Sequence, residues 1–233
     1  MKRRVLLELD HLPTPALRVI TALNLIVFGA WMQAAVSGPE DLERMTAWFT
    51  VSGAGVAEGR VWTLLTSGIS HASLPHLLFN MLALWAFAPD VERLVGSRGF
   101  VHLYVAGAIV SALGHLTYTA WTGNDIPALG ASGALMAVAV VSALVYPGRR
   151  LIVMFLLEMS AFSAVSLFVL LDLASVIFAA QDGVAHGAHL GGALYGLVYH
   201  RLRLRTYLVD RLEQLGYLPP RAWVEHQRRL RER

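Results

Sequence analysis

The sequence predicts an all-α, polytopic membrane protein: one bundle of six transmembrane helices. Three observations lead there. Of the 233 residues 56% are hydrophobic and only 15% charged, with a mean hydropathy of +0.54, a composition suited to lipid contact rather than to a soluble surface. Apolar stretches recur along the whole chain, with no separate soluble domain between them. Finally, 17 of the 19 Lys and Arg residues fall on one face of the topology those stretches define, which is how short cytoplasmic loops are marked. Cysteine is absent, so disulfides, thiolate catalysis and cysteine-ligated metals are excluded. The net charge of +3 comes from residues flanking apolar segments, and reads as a topology signal rather than a nucleic-acid surface.

Taken in order, residues 1–16 form a polar leader with Lys2, Arg3, Arg4, Asp10, Pro13 and Pro15. The first span, 17–36, has no small-residue cleavage site and is expected to be retained. A long outer loop, about 37–73, follows, in which Glu40, Asp41, Glu43 and Glu58 outnumber Arg44 and Arg60. Spans 74–94 and 100–118 are joined across Arg93 and Arg98, and spans 132–146 and 151–180 across Arg149 and Arg150. The sixth, 187–204, closes a membrane domain of residues 17–204. The basic tail, 205–233, carries Leu208, Leu212, Leu215 and Leu218 at helical spacing amid charge, as a surface helix on an anionic inner leaflet would. Six spans put both termini on the cytoplasmic side.

The fourth span is the anomaly. From Ser132 to Pro147 it has roughly 15 residues, about 22 Å of helix against a hydrocarbon core of about 30 Å. Either 128–131 dips inward to meet a submerged helix start, which requires a protein-lined or watered cavity, or 126–131 extends the helix outward.

Three groups of residues could carry chemistry. Gly130-Ala131-Ser132-Gly133 sets a hydroxyl at a helix N-terminus, where free N–H groups and the dipole favour a developing oxyanion; such small-residue strings also serve as packing surfaces. His189 opens the sixth span, an ionisable group in a costly place, with Gly192 and Gly196 on its helical face as a close-approach stripe. A histidine bonded to a backbone carbonyl beside a packing motif is the structural alternative. His76 and Asn80, at i and i+4, can aim two donors at one point, or can tie helices together.

In this order and on these helices, the set resembles the rhomboid intramembrane serine proteases. The likeness rests on Trp62, on His71 with the run His76 to Asn80, on Val91-Glu92-Arg93-Leu94-Val95-Gly96, on Gly130 to Gly133, and on Ala188 to Gly196. It covers roughly residues 60–205 and implies a six-helix rhomboid-like bundle with Ser132 as nucleophile and His189 as general base and then acid. His76, Asn80 and the Ser132 N–H would form the oxyanion hole. It implies an endopeptidase forming an acyl-enzyme, without metal or other cofactor. Partners would be transmembrane protein substrates and membrane lipids, not nucleic acid, with no oligomeric state specified. Substrates would be helix-destabilised segments with a small residue at the cut, arriving laterally near the second and fifth helices. The expected location is a bacterial inner (plasma) membrane.

With no carboxylate placed to orient the histidine, a dyad is expected rather than a triad. Thr63 follows Trp62 where the family often has arginine, and Met136 stands where members place an aromatic ring on the catalytic histidine. His186 shares the face of His189, but the Gly-Gly register favours His189. Asp172 and Glu158, costly in lipid, are expected to face the bundle interior or an interface. Glu92 and Arg93 are expected at an interfacial helix end. An inactive relative usually lacks one of the two dyad residues, and a haem or metal protein would need ligand spacings that are not found.

Overall fold

The computed structural model describes residues 12–153, 156–178 and 183–202, with Tyr207 and Glu213. The leader basic residues, the last residues of the fifth and sixth expected spans and the tail helix lie outside the described residues. In chain order the helices are α1 (Pro15–Ser37), α2 (Pro39–Phe49), α3 (Gly53–Ala57), α4 (Thr63–Thr66), α5 (Leu74–Thr122) and α6 (Ser132–Val145). A two-stranded hairpin, β1 (Arg150–Val153) and β2 (Leu157–Ser160), precedes α7 (Ala161–Ile177) and α8 (His186–Leu202). The architecture is largely helical. Among the described residues α1 and α5 are long and apolar enough to cross a membrane, while α6 and α7 are shorter apolar helices.

The second and third expected spans are the two arms of α5. Its helical geometry breaks at Gly96, with φ 72° and ψ 163°, a region essentially open to glycine alone. Just before the break, at the helix end expected for Glu92 and Arg93, Glu92 is buried in the protein, 1% exposed. Its Oε1 accepts from the Ala16 N–H at 2.9 Å and the Ser97 hydroxyl at 2.7 Å, and its Oε2 from the Leu17 N–H at 2.8 Å. A carboxylate at the N-terminus of α1 satisfies donors that have no partner within the helix and complements the helix dipole. Arg93 donates to the Leu12 carbonyl at 3.1 Å and pairs with Asp90, which Arg149 also meets. Around this clasp Leu17, Leu84, Val91, Phe100, Leu103, Val138 and Val141 form the core.

The expected fifth span, 151–180, is corrected at its start, because its first residues are the hairpin rather than helix. Pro147 ends the preceding helix, and the β-branched Ile152 and Val153 suit a strand. Arg150 opposes Ser160 and Ile152 opposes Glu158. Glu158 is exposed and pairs with Arg150 at 2.8 Å, so of the bundle interior or an interface expected for it, the bundle interior is ruled out. The Ser160 hydroxyl then caps α7 by accepting from the Ser163 N–H at 3.0 Å. Packing of α7 is thin, with Ala161, Ala164, Val165 and Asp172 its buried residues. Between it, α6 and α8 runs an apolar groove of about 570 Å³, lined by Val140, Phe162, Val165 and Leu194 among others.

The outer loop is ordered by its own short helices. Pro39 opens α2 with Glu40 and Asp41 in its first turn, the chemistry a helix N-terminus prefers. Trp48 lies 5.0 Å from Trp62, ring to ring. Farther along, Val51 and Ala128 exchange both backbone hydrogen bonds, at 2.8 and 2.9 Å. Asp125 accepts from the Gly53 and Ala54 N–H groups at 2.6 and 2.7 Å, and those two bonds hold its carboxyl below the usual range. Residues 123–131 thus cross the top of the bundle tied to the first loop.

Two outcomes are expected. Glu92→Ala strands two buried N–H groups and should cost on the order of 3 kcal/mol, read as a lower unfolding temperature in detergent; an unchanged temperature would remove the clasp from the account. For Asp125 the depressed carboxyl makes its contribution available above the ordinary Asp value of about 3.9 and lost as pH falls below it. Amide exchange at Gly53 and Ala54, corrected for intrinsic rate, should therefore be protected at neutral pH and deprotected in acid, and should lose its protection at every pH in Asp125→Ala, which has no side-chain acceptor.

Candidate active site

α6 begins at Ser132, and the segment ahead of it is not helical. Gly130 has φ +134°, its N–H donates to the Ser67 carbonyl at 2.9 Å, and Ala128 is held in the bridge to Val51. Of the two readings for 126–131, the outward extension of the helix is ruled out, because the segment is a loop. The 14 residues of α6 give about 21 Å of helix, short of a hydrocarbon core. The N–H groups of its first turn, Ser132 included, have no acceptor within the helix by position.

α8 brings His189 to this point. The His189 Nε2 lies 2.8 Å from the Ser132 Oγ, across 57 residues of sequence. Glycine on two faces of α8 permits the approach. A Cβ on Gly192 would lie 1.9 Å from the Gly133 carbonyl oxygen, and one on Gly196 would lie 2.6 Å from that of Ala137. On the other face, a Cβ on Gly187 would meet Tyr118 at 2.6 Å, and one on Gly191 the Val110 carbonyl at 2.7 Å. Gly133 is itself pressed against Ser111, whose Oγ would stand 1.7 Å from an added Cβ. So α8 sits in backbone contact with both α6 and the second arm of α5, as small-residue interfaces allow.

The His76 ring flanks Gly130: a Cβ there would be 2.9 Å from the His76 Nε2 and 3.7 Å from the Ser132 Oγ. Asn80 is buried, and its amide donates to the His76 carbonyl at 2.9 Å, which leaves its second N–H for another acceptor. His71 is fully buried with its ring 4.8 Å from that of His76. Burial first, then the neighbouring His76, pushes it down to about 3. A neutral His71 can accept, and its Nε2 faces the Ala131 N–H at 3.4 Å. This histidine, carried in the family likeness without a role, braces the loop just before Ser132. Thr63 is buried, with its hydroxyl donating to the Arg60 carbonyl at 2.6 Å. Met136 is half-buried against the core.

The expectation that no carboxylate faces the histidine is overturned. Asp172 of α7 is buried and stands at the far side of the ring, its Oδ1 and Oδ2 3.0 and 3.2 Å from the His189 Nδ1. His186 Nδ1 meets the same Oδ1 at 2.6 Å. The expectation that Asp172 faces the bundle interior therefore fits its position. The sequence signal was an acid in an apolar run; the partner depended on how α7 and α8 pack. The donor atoms of Asp172, His186 and His189 lie within 4.8 Å of one another, close enough for a metal ion, although His189 also serves Ser132. Behind Ser132 and Gly133 lies a cavity of about 20 Å³ reached by Ser67, Ser111 and His115, by volume the space of about one water.

The rhomboid domain family model matches residues 58–206, which contain every residue of this cluster. The chain belongs to the rhomboid family. It is 32% identical over 209 residues to presenilin-associated rhomboid-like protein A, mitochondrial, of Danio rerio, covering 86% of this chain and 52% of that one. Against presenilin-associated rhomboid-like protein, mitochondrial, of Homo sapiens it is 31% identical over 182 residues, 77% of this chain and 46% of the relative. Against rhomboid protease GluP of Bacillus subtilis it is 27% identical over 175 residues, 75% of this chain and 32% of the relative. This rhomboid chain thus spans about half, or less, of the curated relatives it matches.

Within the rhomboid fold the helix contact at Gly192 is testable apart from any chemistry. Gly192→Ala should lower the unfolding temperature in detergent by several degrees, in line with an overpacking cost of about 1–3 kcal/mol. Gly29→Ala, where an added Cβ meets nothing within 4 Å, should be neutral or slightly stabilising. Equal effects at the two positions would count against backbone contact as the reason for the glycine.

Proposed function

We propose that this rhomboid is an intramembrane serine endopeptidase that cuts transmembrane or juxtamembrane segments of other proteins. The observation that carries the reading is the 2.8 Å contact between the Ser132 Oγ and the His189 Nε2, set at the start of a helix too short to reach the membrane surface.

A serine hydroxyl is a poor nucleophile until a neighbouring base removes its proton. In this reading the His189 Nε2 takes the proton as Oγ attacks the scissile carbonyl. The carbonyl oxygen, now negative, settles beside the Ser132 N–H at the start of α6. There the Ser132 N–H, an imidazole N–H of His76 and the free amide N–H of Asn80 can reach it. Fixed donors in a water-poor site are worth more than the same donors in water. Protonated His189 then gives its proton to the departing amine as the carbon–nitrogen bond breaks, leaving the acyl group on Oγ. Water, deprotonated by His189 in turn, releases the acid and restores the hydroxyl. The small cavity behind Ser132 supports water access to a site otherwise walled by helices.

The membrane setting follows from the apolar helices and the family, and the basic-residue pattern supports six crossings with both termini on the cytoplasmic face of a bacterial inner membrane. A substrate segment would come sideways through the bilayer between the first arm of α5 and the thinly packed α7. The exposed Phe162, Phe168, Leu170 and Leu171 of α7 suit contact with lipid or with an apolar substrate helix.

The deciding experiment uses the full chain in detergent and in liposomes. Wild type should be labelled by a fluorophosphonate and should cleave a test substrate containing a helix-destabilised transmembrane segment. Ser132→Ala should not be labelled, and both Ser132→Ala and His189→Ala should cleave about 10³-fold more slowly or worse. Cleavage by both variants at the wild-type rate would end the proposal.

A further inference from the structure

We propose that Asp172 is a positioning residue for the reaction, its carboxylate holding His189 in the tautomer and orientation that Ser132 needs, with His186 fixing the carboxylate in turn. This rests on the protease reading above.

The tautomer argument comes first. For the His189 Nε2 to accept the Ser132 proton it must be bare, so the ring proton must sit on Nδ1. Nδ1 faces Asp172, with both carboxylate oxygens in reach at 3.0 and 3.2 Å. An acceptor there holds the proton on Nδ1 and turns Nε2 toward the hydroxyl. When the ring becomes imidazolium during the reaction, the same carboxylate offsets the charge.

Burial supplies the second argument. Asp172 has 9% of its side-chain surface exposed and His186 has 8%, in helices built largely of apolar and small residues. A carboxylate in such a place is expensive unless its oxygens are hydrogen-bonded. A tie between α7 and α8 needs a single imidazole, and His186 Nδ1 at 2.6 Å provides one. The second imidazole on the carboxylate is the one whose far nitrogen meets Ser132. His186 thus acts as the brace: its N–H occupies Oδ1 from one side, so the carboxylate cannot swing away from His189. The four side chains form one line from α6 through α8 to α7 and back to α8, and α7 gains a reason to carry an acid.

The experiment compares Asp172→Asn, Asp172→Glu and His186→Ala with wild type and Ser132→Ala, each as the full chain in detergent. It reads the rate of fluorophosphonate labelling, kcat and KM on the test substrate, unfolding temperature, and the ring-nitrogen NMR shifts of His189. Asparagine can present its N–H₂ to Nδ1 and so favour the wrong tautomer. Asp172→Asn should therefore lose about 10²–10⁴-fold in labelling rate and kcat, by analogy with the triad carboxylate of soluble serine proteases. KM should stay within about threefold, and the His189 ring proton should move from Nδ1 to Nε2. Asp172→Glu should recover at least part of the loss, and His186→Ala should show a smaller one, on the order of tenfold, as the carboxylate is freed. Labelling of Asp172→Asn within about threefold of wild type, with Ser132→Ala unlabelled, would overturn the inference and leave the protease reading standing. So would a loss matched by a fall in unfolding temperature with the His189 tautomer unchanged, because that is what a purely structural tie produces. Wild-type labelling that rises on removal of divalent cations would also overturn it, by making the cluster a metal site. Absence of any Ser132-dependent labelling in wild type would instead sink the protease reading itself.

Discussion

A serine hydroxyl and an imidazole carried on neighbouring helices meet only if the two helices hold a fixed spacing and register. In this chain that constraint is met by removing the side chains. Gly192 and Gly196 meet the carbonyls of Gly133 and Ala137 on α6, while Gly187 and Gly191 meet the second arm of α5. α8 is therefore held from both sides by backbone, and the position of His189 along its axis follows from packing that tolerates no added methyl group. The geometry around Ser132 is in this sense a property of the glycine register, with Ser132 and His189 mounted on it.

A second theme is the handling of buried charge. Glu92 and Asp172 are both nearly inaccessible, and each carboxylate is met by more than one hydrogen-bond donor. Glu92 accepts from the first turn of α1 and from Ser97; Asp172 accepts from two imidazoles. Charge-assisted hydrogen bonds of this kind are stronger than neutral ones and carry direction as well as energy. Each therefore fixes a helix to something distant in sequence: α1 to the end of the first arm of α5, and α7 to α8.

Much of the layout was legible from residue pattern, and the failures have physical reasons. The short helix ending before Pro147 was visible as a run too short to span, but its start at Ser132 was not, since nothing in 126–131 itself forbids a helical extension. The hairpin at 150–160 was not, since Leu151, Ile152 and Val153 make an apolar run that periodicity cannot assign to strand or helix. The burial of Glu92 was missed because its partners are the N–H groups of Ala16 and Leu17, more than 70 residues upstream, and a free helix terminus leaves no mark in the acid's own neighbourhood. For Asp172 the costly residue was plain, but its partner was not. Whether an acid on α7 meets His186, His189 or neither depends on the rotation of α7 about its axis, which apolar faces on nearly all sides leave unspecified.

At Gly96 the two arms of α5 join with one residue out of helical geometry and no intervening loop. The turn between those segments has no slack, so the two arms meet as one bracket, and Glu92, four residues before the bend, ties that bracket to α1. An epitope or reporter spliced in at this corner would pry the bracket apart instead of marking a side of the bilayer.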